Sequence, residues 1–298
     1  DSVRDSLRQM SLDRLAQIDA AWAGRRFVRQ SLASSVGAAA GGDVQVAPAI
    51  SMTAALTRAA SEGRESRAGG VSVYGIDAAF WKLIDPVNLP LPEGNSVVLN
   101  RRTAQQLAAS VDDEVSLVIE IPPTIPRDSL LGDRDQTTTE LILRVAAIAD
   151  DASTPGRFGM NPSQQLPLNA FVSLETLQQQ LGLSEVLPTA RTPTSRPARV
   201  NALFFATGLD STVSDVIGPE FASNLSRTLD SELTLTDLGL KLNPDEDAGV
   251  FALESQQMIL EDVVTDAALE AANSLQAEVS PVLVYLLNQM GDQPASED

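Results

Sequence analysis

The acidic run Asp245-Glu246-Asp247, followed by Gly249, resembles the start of a calcium loop, because hard cations want clustered carboxylate oxygens. Such a loop takes a bidentate glutamate at its twelfth position, and here that position is Gln256, so the run reads as the acidic tip of a hairpin. A serine–lysine dyad is the natural hydrolase machinery without histidine, and it places the serine three residues before the lysine. The two lysines, Lys82 and Lys241, have Ala79 and Leu238 there. Gly69-Gly70 and Gly75 flank an apolar run and are not followed by Lys-Ser or Lys-Thr, so they read as turn glycines and not as a phosphate loop. A carboxylate pair of the glycosidase kind is available to any chain with 40 acids, but aromatic residues, which commonly build binding pockets, make up only 4% of this one.

The 298 residues include no histidine and no cysteine. A Ser-His-Asp triad cannot be built within the chain, and neither can a zinc site of imidazole or thiolate, a disulfide or a thiol relay. Proton transfer near neutral pH would need a carboxylate, lysine or tyrosine with a strongly shifted pKa. Compositional drift accounts for the absence equally well, since nineteen arginines stand against two lysines. The sequence therefore assigns no catalytic residue, no cofactor-binding residue and no metal ligand.

Two groups of residues are candidates for contact. Tyr74, Phe80 and Trp81 could form a hot spot for a partner or substrate, because tyrosine and tryptophan concentrate binding energy; packing in the core behind a strand is the competing expectation. Arg25, Arg26 and Arg29 could meet lipid headgroups if the segment bearing them emerges from a membrane; a solvated helix face is the alternative.

Net charge is −19, which disfavours nucleic acid or an anionic lipid surface as the main partner. The charge is polarised along the chain. Residues 1–70 hold nine arginines against seven acids, whereas residues 231–298 hold fourteen acids and one lysine. No apolar run approaches the roughly 18–20 residues needed to span a bilayer. The start, Asp1-Ser2-Val3-Arg4, has neither an initiating methionine nor the regions of a signal peptide, which predicts a removed upstream segment.

The elements that must position these residues follow from periodicity. Val3, Leu7, Met10, Leu15, Ile18, Trp22, Val28 and Leu32 recur near helical spacing and predict helix over 2–35. A short strand at 44–46 and a helix at 51–60 come next, then a loop over 62–70, a strand over 71–76 and a helical turn over 78–83. Further strands are expected at 96–99, 115–119, 141–148, 170–172 and 200–205, with 115–119 and 141–148 paired as a hairpin. Helices are expected at 102–109 and 174–181. Beyond residue 210, a helix over 211–230 is broken at Gly218-Pro219, a hairpin joins 233–242 to 249–260, a helix covers 262–275 and a strand covers 281–287. Without regular βαβα alternation, the fold class is α+β.

The order of these pieces carries a resemblance. Ser2-Val3-Arg4-Asp5-Ser6-Leu7 through Arg14-Leu15, followed by Val71-Ser72-Val73-Tyr74-Gly75-Ile76-Asp77-Ala78-Ala79-Phe80-Trp81, resembles the ectodomain of FtsX-like ABC transporter permeases, the group that includes MacB and LolC. In that family a strand ending V-x-G-V-D-x-x-F recurs. Glu93-Gly94-Asn95-Ser96-Val97-Val98-Leu99-Asn100, the strand and helix of residues 168–177, and Val200-Asn201-Ala202-Leu203-Phe204-Phe205 resemble later elements of the same domain.

The resemblance implies a MacB-like periplasmic core. Residues 1–36 would be a long helix continuing from a transmembrane segment. Residues 37–92 and 198–230 would form a Porter-like α+β subdomain, 93–197 an inserted β-rich Sabre-like subdomain, and 231–298 an additional acidic segment. It further implies a non-catalytic domain, without cofactor, on the extracytoplasmic side of an integral and dimeric membrane protein. A cytoplasmic ATP-binding subunit and a periplasmic protein or lipoprotein would be its partners. A secreted histidine-free hydrolase with a carboxylate pair and a ligand-binding sensor ectodomain are the alternatives.

Overall fold

The computed structural model describes residues 14–41, 44–59, 65–84, 88–120, 138–160, 165–189, 195–207, 219–245, 249–255 and 262–282. In chain order these form β1 (Ala20–Arg29), α1 (Leu32–Ala39), β2 (Val44–Ala59), β3 (Glu65–Ile76), α2 (Ala78–Leu83), β4 (Ser96–Asn100), α3 (Arg101–Leu107), β5 (Glu114–Glu120) and β6 (Thr138–Ala149). They continue with α4 (Thr154–Arg157), β7 (Asn169–Ser173), α5 (Leu174–Leu181), β8 (Arg199–Thr207), α6 (Pro219–Glu232), β9 (Leu240–Asp245), β10 (Val250–Ser255) and α7 (Asp262–Ser274). The class is α+β, as the composition of elements in the sequence suggests.

Eight strands make one sheet in the order β1-β8-β2-β3-β7-β4-β6-β5, and β5 returns to pair with β2. Six of them, β2-β3-β7-β4-β6-β5, thereby close into a ring. The 16-residue β2 makes this possible by serving three neighbours. Its first part pairs with β8, from Val44 opposite Thr207 to Ala49 opposite Ala202. Its second part pairs with β3 on one edge and with β5 on the other, where Leu56 faces Leu117.

Burial follows the two-residue period of the strands. On β5 and β6, Val115, Leu117, Ile119, Leu141, Leu143 and Val145 point into the ring and are buried, whereas Ile142 is 60% exposed. Val71, Val73, Val97, Leu99, Ala170 and Val172 join the same core. The intervening residues Tyr74, Ile76, Val98, Phe171 and Phe204 face outward from these strands into a second core. Strands buried on both faces read as continuous apolar runs, and this is why 71–76, 96–99, 170–172 and 200–205 are recognisable in the sequence.

Two segments depart from the expected helices. Residues 1–13 lie outside the described residues, residues 14–17 form a turn, and Ala20–Arg29 is a strand paired with β8. Between Ala23 and Val28 its register slips, so that Ala23 and Val28 face Ala202 and Val200. The slip interrupts alternation and leaves an apolar spacing that imitates a helix. Helix is confined here to Leu32–Ala39. Residues 51–60 were also expected to be helical, and 51–59 belong to β2; partners on both edges outweigh its alanine-rich local preference. Strand β3 likewise begins at Glu65, inside the expected loop.

Contact density divides the chain into a unit of Asp1–Glu254 and a unit of Ser255–Asp298. In the first, the strands of residues 93–197 share one sheet with β2 and β3. In the second, α7 buries none of its own residues. Of residues 281–287, expected as a closing strand, 281–282 are not in a strand and 283–287 lie outside the described residues. No described helix is long and apolar enough to cross a membrane.

Candidate functional site

The motif Val73-Tyr74-Gly75-Ile76-Asp77-Ala78-Ala79-Phe80 is built as a strand-to-helix corner. Asp77 is the N-cap of α2, and its Oδ1 accepts from the Phe80 N–H at 3.0 Å. Burial raises the Asp77 pKa above the ordinary carboxylate value, and the backbone hydrogen bonds offset part of that rise. Gly75 lets α5 approach β3: a Cβ at this position would lie 2.7 Å from Leu177 Cδ1 and 3.3 Å from Ile50 Cβ. Alternate residues of the same run fill the two cores.

Tyr74, Phe80 and Trp81 are turned inward, at 3%, 0% and 6% exposure, which leaves little of them for a partner to touch. Phe80 meets Phe204 edge-on at 4.8 Å, Tyr74 meets Phe158 edge-on at 5.0 Å, and Trp81 meets Phe171 edge-on at 5.5 Å. The packing follows the core alternative weighed from the sequence. Burial pushes the Tyr74 phenol up to about 12, against a smaller opposing effect of a hydrogen bond with Ser72. Trp81 Nε1 is buried without a hydrogen-bond partner among the described residues.

The three arginines lie on β1 and not on a helix. Arg25 is exposed within the register slip, and Arg26 Nη1 donates to the Leu238 carbonyl at 3.4 Å. Arg29 is committed to the turn after α6. Its backbone N–H donates to Asp237 Oδ1 at 2.8 Å, its Nη1 pairs with Asp237 Oδ2, and its Nη2 donates to the Glu232 carbonyl at 2.7 Å. Arg199, opposite Arg29 in the β1–β8 register, has its pKa lowered by burial and then by the charge of Arg196, while Asp237 acts in the other direction.

A polar knot ties the segment after β6 to the sheet. Asn100, Thr103 and Asn169 are all fully buried. Asn100 Oδ1 accepts from Thr103 N–H at 3.1 Å, Thr103 Oγ1 at 2.7 Å and Asn169 N–H at 3.0 Å, while its Nδ2 donates to the carbonyls of Gly156 and Pro167. Asn169 Nδ2 holds the Phe158 carbonyl at 2.7 Å. Gly156 is the tightest point, since a Cβ there would lie 2.0 Å from the Asp150 carbonyl oxygen.

Beside this knot is a cavity of about 490 Å³, bounded by β2, β3, α3 and residues 159–160 and 165–168. Among the described residues, Arg14 and Arg102 are its charged ones, and no aspartate or glutamate lines it. Ser51, Thr53 and Gln106 add hydrogen-bonding groups, and Met160 and Pro167 add apolar surface. A carboxylate pair for glycoside chemistry is not found in this lining. Sequence reasoning missed the site: no local motif singles out Arg14, and 88 positions separate it from Arg102. Asp245 ends β9, Glu246, Asp247 and Gln256 lie outside the described residues, and no group of three potential metal ligands occurs among the described ones.

No protein-family model and no curated protein matches the chain. Among solved structures, the chain is similar to the periplasmic region of MacB from Actinobacillus actinomycetemcomitans, at 11% identity and a TM-score of 0.39, over 84% of this chain and 91% of that one.

Proposed function

We propose that this chain is an extracytoplasmic domain that works by movement and carries out no catalysis. Its type is that of the FtsX-, MacB- and LolC-like ABC transporter permeases, in which a cytoplasmic ATP-binding subunit drives conformational work outside the membrane, here lipoprotein release or export. The supporting observation is the relation of β1 to β8. The chain enters the sheet at Ala20 beside the place where it leaves at Thr207, with Asp19 Oδ2 accepting from Thr207 N–H at 2.6 Å and Oγ1 at 2.7 Å, and Asp19 N–H donating to Phe205 O at 2.8 Å. A domain standing on membrane segments needs its incoming and outgoing strands at one end, and motion applied there reaches the ring through β2.

In this reading residues 37–92 and 198–230 form the part joined to the membrane stalk, residues 93–197 the β-rich part that meets a periplasmic protein or lipoprotein, and residues 231–298 an accessory segment. The working protein is a membrane-embedded dimer. Because the chain has no cysteine, a single Leu187→Cys at a site 67% exposed gives one reactive thiol in this region. In full-length protein in cells made permeable only at the outer membrane, a membrane-impermeant maleimide should label it as fully as after lysis. Labelling only after lysis would place the domain on the cytoplasmic side and end the proposal.

A further inference from the structure

The cavity beside the Asn100 knot reverses the character of the molecule. In a chain of net charge −19, the described residues that line it include two arginines and no carboxylate. Arg14 is the informative one. Only 9% of it is exposed, and it makes no ion pair or hydrogen bond with any described residue. Its guanidinium therefore faces the cavity with no counter-charge from a described residue, and a charge held largely inside a protein is stabilised by pairing with an opposite one. Arg102 uses its Nη1 on the Leu166 carbonyl at 2.6 Å, which fixes the second guanidinium at the same wall. A planar guanidinium with five N–H donors matches the oxygens of a carboxylate or phosphate. Met160 and Pro167 offer the remainder of a ligand an apolar surface.

From these observations we infer that the cavity binds a small organic anion, a carboxylate or phosphate carried on a compact apolar body, with Arg14 as its charge partner. The hydroxyls of Ser51 and Thr53 supply additional donors along β2. The volume of about 490 Å³ admits a ligand of drug-like or shorter acyl size and is too small for a polymer. The inference is independent of the permease reading, since a domain on either side of a membrane could hold such an anion.

Calorimetric titration of the 298-residue chain with octyl phosphate, octanoate, octanol and inorganic phosphate tests it. At least one of octyl phosphate and octanoate should bind at least about tenfold more tightly than octanol and inorganic phosphate, and the preferred one identifies the head group. Arg14→Gln should weaken that binding about tenfold or more and leave octanol unchanged. If Arg14→Gln does not fold, Thr53→Asp at the exposed rim places a carboxylate in the lining and should weaken the same probe to a similar extent. Octanol binding as tightly as the anions, no binding by either amphiphilic anion, or an affinity unchanged in a folded variant would overturn the assignment.

Discussion

Arg29 and Asp237 lie 208 positions apart and are joined twice, once through the Arg29 backbone N–H on Oδ1 and once through its guanidinium on Oδ2. Asp237 Oδ2 also accepts from Thr234 N–H at 2.9 Å and from Thr234 Oγ1 at 2.8 Å. With the Asp237 side chain only 1% exposed, this carboxylate locks the end of α6 onto β1. Loss of a buried charge partner costs roughly 3–5 kcal/mol in other proteins. Asp237→Ala should therefore destabilise the domain by about 3 kcal/mol in urea unfolding. Arg29→Ala should cost less, about 1–2 kcal/mol, because three neutral donors remain on Asp237. The reverse order of the two losses would contradict this assignment of the clamp.

Asp77 sets the pH response of the strand-to-helix corner. Its pKa is raised in the folded state, chiefly by burial, so the native protein binds the proton more tightly than the unfolded chain. The stability this group contributes is present below its unfolded pKa and is lost as pH rises through the folded pKa. Asp77→Asn keeps a capping oxygen without the charge, so its stability relative to the parent should improve between pH 4 and pH 7. Asp77→Ala loses the cap and should cost about 1 kcal/mol at either pH. Urea midpoints at the two pH values decide it, and an Asn variant that loses ground with rising pH would refute the argument.

The Asn100 knot should be intolerant of change. Asn100→Ala leaves three donors and two carbonyls without their partner in a buried site, a loss of at least about 3 kcal/mol. Gly156→Ala forces a Cβ against the Asp150 carbonyl oxygen and should open the same segment. Hydrogen exchange of residues 150–160 should accelerate in both variants. Unchanged protection there would show that the knot does not hold the segment.

Much of the sheet is legible in the sequence because its central strands are buried on both faces, and the corner is legible because Gly75 and Asp77 have one local task each. Residues 20–29 and 51–59 are not. In the first, the slip between Ala23 and Val28 erases the two-residue period; in the second, pairing with β3 and β5 decides a segment whose own composition favours helix. Closure of the ring through Leu56 and Leu117 depends on contacts 61 positions apart, and no local pattern announces it. The cavity is hidden for the same reason. Arg14 and Arg102 look like surface arginines until β2, β3 and α3 bring them to one wall.

The central claim is that ATP-driven motion in the membrane reaches this domain. The most direct measurement places a nitroxide on Leu187→Cys in the full-length protein, reconstituted with the proposed ATP-binding subunit, and records the label-to-label distance across the proposed dimer with and without trapped ATP. The account predicts a resolved distance that shifts with nucleotide and stays fixed when the ATPase is inactivated by mutation and left without ATP. The same distance in both nucleotide states would contradict it.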